Sequence, residues 1–124
     1  MTTAVERICG DISAGAAIAM GGRGASVAAT GSVVGDAAAI NASIVIATGA
    51  DATKGVLLPA AQVGDTVWMF NNSASDLVVY PNTGAAICLT GTGLGTANTA
   101  YTHTAHKTVL YKMQSSTQWF VKVT

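Results

Sequence analysis

Two histidines, His103 and His106, have the side chains in this sequence best suited to proton transfer or metal binding. Side chains three residues apart on an extended strand point to opposite faces, so the two rings should not meet. No carboxylate lies near them in sequence to orient either ring, and a metal site would need a further ligand from elsewhere in the fold. We therefore interpret both as exposed or interfacial residues. An ion bound by histidines of several subunits at a symmetry axis stays open as an alternative.

The glycine run Gly91–Gly95 superficially resembles a dinucleotide-binding fingerprint. That function requires a helix directly after the glycines, because its N-terminus holds the pyrophosphate. The polar, threonine-rich stretch Thr96–Thr104 follows instead, so we predict a loop. The sequence also shows no nucleophile beside a base and no pair of carboxylates in apolar surroundings. We predict a protein that is not an enzyme and that uses no cofactor and no metal.

Cys9 and Cys88 are far apart and belong to no metal-binding or redox spacing. We interpret both as small buried apolar side chains. A disulfide between them stays open, although nothing else marks the chain as secreted.

Charge and hydropathy exclude several classes of partner. The 124 residues carry six basic and six acidic side chains, and the charged fraction is 10%, against about 25% in typical soluble domains. A net charge of zero offers no electrostatic footprint for nucleic acid or an anionic membrane. The mean hydropathy is +0.45, yet no stretch approaches the roughly 20 apolar residues of a membrane span. We predict a single domain that binds neither nucleic acid nor membrane.

Sparse charge also suggests that other chains cover much of the surface. Between Leu77 and His106 there is no Asp, Glu, Lys or Arg. A small soluble monomer would normally carry more charge than this. Closed cyclic symmetry is the usual form of such contacts, so we predict a cyclic oligomer, and the resemblance described below implies that it is a homotrimer.

The strands are organised around Lys54–Tyr80, which contains the short apolar runs Val56–Leu58, Val67–Phe70 and Leu77–Tyr80. Turn residues end each run, as is typical of β-strands. The middle run, taken as Asp65–Asn71, has apolar residues on both faces. We therefore predict a central strand that is covered on both sides.

Further strands are predicted on both sides of this region, at Ala42–Thr48, Ala86–Leu89 and Ala100–Thr104, followed by a hairpin of Thr108–Met113 and Gln118–Val123. Seven or eight short strands at such spacing indicate an all-β fold, a β-sandwich or jelly-roll-like domain over residues 42–124. The predicted core is Ile44, Ile46, Leu58, Trp68, Phe70, Leu77, Val79, Ile87, Val109, Tyr111, Trp119 and Val121.

Residues 1–41 are rich in Ala and Gly and have few large apolar side chains. Ordering such a chain costs about 1–2 kcal/mol per residue and must be offset by contacts with another surface. We predict an N-terminal arm or intersubunit segment, with Glu6, Arg7 and Arg23 as its charged anchors. A short helix over Ser13–Met20, capped by Ser13, is the alternative for part of it.

With the strands placed, the region from about Ala42 to Val123 resembles small virion proteins of tailed bacteriophages. The pattern joins an LPAA element and a Gly-Asp turn to a strand ending in Asn, then to a VYP element and a final strand with Trp. The matching residues are Leu58, Pro59, Ala60, Ala61, Gly64, Asp65, Asn71, Val79, Tyr80, Pro81, Gly84, Ile87 and Trp119. Among these proteins the chain looks most like head decoration, or cement, proteins, which sit as trimers on icosahedral capsids.

The resemblance implies a viral structural protein, made in the host cytoplasm, that binds the outside of the phage head and stabilises it. Its partners would be the major capsid protein and further copies of itself, and the Glu6, Arg7 and Arg23 anchors would contact one or the other. The alternative is a fibre or tail-tip β-domain that binds a host receptor or glycan. That reading favours exposed aromatic residues such as Trp68, Tyr80 or Tyr101. An enzyme using His103 or His106 is the third and weakest hypothesis.

Overall fold

The computed structural model describes residues 24–88 and 94–123. Ten β-strands form within this part of the chain, and none of its residues is helical. The strands are β1 Gly24–Ala28, β2 Ala38–Ala39, β3 Ile44–Thr48, β4 Gly55–Leu57, β5 Thr66–Asn71, β6 Leu77–Tyr80, β7 Ala86–Cys88, β8 Tyr101–His103, β9 Thr108–Ser115 and β10 Gln118–Val123. No helix among the described residues is long and apolar enough to cross a membrane.

The strands make two mixed sheets in a β-sandwich-like fold. One sheet has six strands in the order β1-β3-β5-β9-β10-β7, and the other has four in the order β2-β4-β6-β8. This confirms the predicted all-β class, and eight of the ten strands lie where the sequence predicts them.

The first six strands alternate between the sheets, so the chain winds around the core. Successive strands of one sheet are therefore parallel neighbours: β1 beside β3 beside β5, and β2 beside β4 beside β6. Glycines with positive φ, Gly49, Gly64 and Gly84, lie in the connections, where other residues would be strained. The β9–β10 hairpin then lies between β5 and β7, and its first strand, β9, is antiparallel to β5.

The core lies between the two sheets. Its largest fully buried side chains include Trp119 and Tyr111 from the six-stranded sheet, and Leu77 from the smaller one. The indole of Trp119 also donates a hydrogen bond to Asn82 Oδ1 at 2.8 Å. Of the predicted core residues, those buried are Leu58, Leu77, Val79, Ile87, Val109, Tyr111 and Trp119.

The prediction for the outer positions of β3 and β5 is wrong. Ile44, Ile46 and Trp68 are 51%, 46% and 41% exposed, and Phe70 is only partly buried. β5 is an interior strand of its sheet, as predicted, but only its Val67 and Met69 face is covered. In a two-layer fold each strand has one inner face, and choosing the wrong phase moves every side chain to the other face. Val121, on the inner face of β10, is also only partly buried.

The domain begins earlier than the boundary predicted between residues 41 and 42. Within the predicted arm, β1 pairs with β3 over five residues and β2 pairs with β4. Ala25 and Val27 of β1 pack against the core. This segment gave no strand signal, because Val27 is its single large apolar residue among Gly, Ala and Ser. The Ser13–Met20 segment lies outside the described residues.

We expect Trp119→Ala to lower the free energy of unfolding by about 3–5 kcal/mol, because it empties a fully buried aromatic site. Phe120→Ala is the matched control. That neighbouring ring is 43% exposed on the opposite face, and its loss should cost about 1 kcal/mol or less. Denaturant unfolding followed by circular dichroism measures both. Equal losses in the two variants would show that the inner face of β10 has been assigned wrongly.

Candidate functional site

The candidate site is the outer face of the six-stranded sheet, where three rows of residues cross neighbouring strands. The first row is Ser26, Ile46, Phe70 and Thr108; the second is Gly24, Ile44, Trp68, Leu110 and Lys122; the third is Thr66, Lys112 and Phe120. Because side chains alternate along a strand, all of them lie on the side of the sheet that faces away from the core. Most of the large side chains in these rows are apolar.

We call the six large apolar residues of these rows the outer-face cluster: Ile44, Ile46, Trp68, Phe70, Leu110 and Phe120. Four of them are more than 40% exposed, and Phe70 and Leu110 are partly exposed. Together they expose on the order of 400 Å². The largest apolar patch on a typical monomer covers about 300–600 Å² and is often functional. This cluster therefore has the size of a binding surface.

The outer-face cluster is not a by-product of filling the core. In β3 the outward residues Ile44 and Ile46 are larger than the inward pair, Val45 and Ala47. The inward residues are almost completely buried, so the closely packed space between the sheets limits their size. The outward positions are under no such limit, and polar residues there would serve the strand as well as isoleucine.

Two lysines, Lys112 and Lys122, are the charged residues on the described part of this face. Lys112 lies beside Phe120 and Lys122 beside Leu110 on neighbouring strands, and both lysines are exposed. Among the described residues, the outer rows contain no carboxylate. The cluster is therefore an apolar surface with positive charge along one side.

His103 is buried rather than exposed or interfacial, and this corrects the prediction for it. Its Nε2 lies 2.6 Å from the Lys107 carbonyl oxygen, and its Nδ1 lies 2.9 Å from the Tyr111 hydroxyl. Since a carbonyl can only accept, Nε2 carries the proton, and the neutral ring accepts from Tyr111 at Nδ1. Burial lowers the pKa of His103 and, more strongly, raises that of Tyr111. Burial favours the neutral form of the ring, and the two hydrogen bonds fix its orientation.

Asn71 extends this buried polar cluster to the end of β5. Its Nδ2 donates to the carbonyl oxygens of Ser75 and His103, at 2.9 and 3.2 Å. Its buried Oδ1 accepts no hydrogen bond from the described residues. Buried oxygens of this kind are usually satisfied by internal water. The cluster joins β5, β8 and β9 and has the character of a structural bond rather than an open reaction site.

His106 and Asp51 are two further titratable residues outside this cluster. His106, three residues after His103, is exposed, and its ring lies 6.5 Å from that of Phe70. The Asp51 carboxylate accepts hydrogen bonds from the hydroxyl and backbone of Thr53 and from the backbone of Lys54, which lower its pKa to about 2. Within the described residues, no group of three His, Cys, Asp or Glu side chains is placed to hold a metal ion.

Cys88 is a free, buried cysteine, in agreement with its interpretation as a small buried side chain. Its Sγ lies 2.8 Å from Gln118 Oε1, to which the thiol donates. Cys9 and the predicted contact residues Glu6, Arg7 and Arg23 lie outside the described residues. The outer-face cluster was missed by sequence reasoning, although its signal was present. Apolar residues occupied both alternating phases of β3 and β5, and one of the two had to face outward.

Comparison of the chain with protein-family models, with curated proteins and with solved structures gives no match.

We expect the free energy of unfolding to decrease as the pH falls from 7 to 5. In the folded protein the pKa of His103 lies below its ordinary value of about 6.5, chiefly because the ring is buried. The unfolded chain therefore binds a proton that the folded chain resists, and stability increases with pH through this window. The Lys107 carbonyl and the charge of Asp76 oppose the shift but do not reverse it.

Denaturant unfolding at several pH values, for the parent chain and two variants, tests this expectation. His103→Gln should flatten the profile between pH 7 and 5, because its amide can still donate to Lys107 without gaining a charge. The exposed control His106→Asn should keep the parent slope. If the free energy of unfolding of His103→Gln depends on pH as steeply as that of the parent chain, another group causes the pH dependence.

Proposed function

We propose that the protein is a structural component of a tailed-phage virion, a decoration protein that binds the outside of the head and stabilises it. The observation that carries this proposal is the outer-face cluster, a broad apolar surface on a rigid sheet. The sequence resemblance over residues 42–123 supports the same reading. The buried histidine adds support, because it is bound within the fold instead of facing a substrate.

The proposed mechanism is stabilisation by binding. A decoration subunit that binds the assembled shell, and not its separated parts, shifts the equilibrium towards the shell by mass action. No reaction is needed for this, so the proposed protein is not an enzyme. A sheet is a suitable carrier because its backbone hydrogen bonds fix the spacing of the contact residues.

Three finer features belong to the same proposal. The sandwich is a jelly-roll-like domain, the protein is a homotrimer, and its N-terminal residues reach a neighbouring subunit or the shell. Low surface charge supports the trimer, since only four Asp and four Lys occur among the described residues. Glu6, Arg7 and Arg23 stay the proposed anchors of the N-terminal segment.

A fibre or tail-tip domain that binds a host glycan is the second candidate, and the exposure of Trp68 is the observation that favours it. An exposed indole can stack on a sugar ring. A glycan site also needs hydrogen-bonding groups around that ring, however, and the strand neighbours of Trp68 are Ile44 and Leu110. Tyr80 and Tyr101 are partly buried. These surroundings suit a protein partner better than a sugar.

We expect the chain to be present in hundreds of copies in purified particles of the phage whose genome encodes it. Quantitative mass spectrometry against the major capsid protein measures the ratio, and electron microscopy with an antibody to the chain locates it. A few copies at the tail would support the fibre reading instead. Absence from the particles would contradict both.

We expect the full-length chain to sediment as a trimer at micromolar concentration, because few charges keep separate subunits apart. Sedimentation velocity and equilibrium runs at two salt concentrations measure the mass. A species with the mass of one chain at all concentrations would contradict the proposed trimer.

A further inference from the structure

We propose that the outer-face cluster docks on a different protein, whose surface has apolar side chains at its centre and carboxylates opposite Lys112 and Lys122. This inference rests on the proposed function, in which that protein is the major capsid protein. It places a contact with that protein on the six-stranded sheet, in addition to any contact made by the N-terminal anchors.

The outer-face cluster has the size and position expected of the apolar centre of an interface. A stable interface buries about 800 Å² on each partner, with an apolar centre and a polar rim. The outer-face cluster would supply roughly half of that area as the centre. Trp68 lies between Ile44 and Leu110 in the middle row, the position where binding energy is usually concentrated.

The charges of Lys112 and Lys122 indicate the chemistry of the partner's surface. Lys112 and Lys122 lie in the third and second rows, next to Phe120 and Leu110. An apolar partner without charge would have to cover or displace these two ammonium groups, with no gain to offset their lost hydration. Carboxylates at the rim would pair with them and would also speed the encounter of the two proteins.

The same charges argue against a second copy docked through the same face. A two-fold contact of this face with itself would bring the lysines of one subunit towards those of the other. The described part of the face has no carboxylate that could pair with them. A trimer is built from contacts between two different surfaces of each subunit, and in this proposal both of those surfaces lie outside the outer-face cluster. The outer-face cluster is left free to point towards the shell.

The apolar half of the proposal is tested by removing the central ring. Particles of the encoding phage are stripped of the chain, and purified full-length chain is added back and quantified after pelleting. Trp68→Ser should weaken binding at least about 30-fold, as expected for a central aromatic contact. The control Val33→Ser removes an apolar side chain that is 56% exposed in the loop before β2, away from the sheet face, and should bind like the parent.

The charge half is tested by the double variant Lys112→Gln/Lys122→Gln. It should bind about tenfold more weakly at low salt and lose most of the parent's salt dependence, since screened attraction is what it removes. Lys54→Gln is the matched control. That lysine is in the loop before β4, pairs with Asp51 at 4.0 Å, and should behave like the parent. These side chains are exposed, so the double variant should remain folded even if Trp68→Ser does not.

Three outcomes separate this inference from the proposed function. If the chain is on the particle but both the Trp68 and the lysine variants bind like the parent, the contact lies elsewhere and only this inference is lost. If the variants sediment as single chains while the parent is a trimer, the face is a subunit interface and the inference is also overturned. If the parent chain neither occurs on particles nor rebinds to them, the proposed function itself fails.

Discussion

Every strand of this protein has one face turned to the core, and the rest of the structure depends on that constraint. The core is a single layer of side chains between two sheets, and Trp119 and Tyr111 fill much of it. Inward positions such as Ala47 are fully buried, so the packed core limits the size of their side chains. The larger apolar residues of β3 and β5 therefore lie outside, where they form a surface and not a core. Packing inside the fold and binding outside it are two results of the same alternation.

The buried polar cluster solves a different problem at one end of the sandwich. Carbonyl groups from the loop after β5, from the end of β8 and from the turn before β9 meet here, and side chains supply donors for them in addition to the Asn71 N–H, which donates to the Lys107 carbonyl. His103 satisfies the Lys107 carbonyl, and Asn71 satisfies those of Ser75 and His103 itself. A carbonyl group left unpaired in the interior would cost free energy comparable to a lost hydrogen bond. The histidine thus has a role that an apolar residue of its size could not fill.

Sequence reasoning could predict much of the fold, because turn residues and short apolar runs mark eight of the strands clearly. It could not predict β1 and β2, whose alanines, glycine and serine carry no pattern of their own. Those strands form because β3 and β4 offer parallel partners, and such pairing depends on residues distant in sequence. The phase of β3 and β5 was also beyond reach. Deciding it required knowing which face of the sheet the second sheet covers, and that is a tertiary fact. The site was missed for the same reason, since Ile44, Ile46 and Trp68 looked like core.

The position of the C-terminal hairpin has a consequence for how the chain folds during synthesis. β9 and β10 lie between β5 and β7, so two strands that are made after both of these neighbours occupy interior positions of the larger sheet. Until they arrive, β5 has an open edge, and β7 has no neighbour among the described strands of its sheet. Open edges of this kind can pair with other nascent chains. A cell that makes many copies at once would therefore benefit from rapid completion of each chain, or from a chaperone that shields β5 until the hairpin is in place.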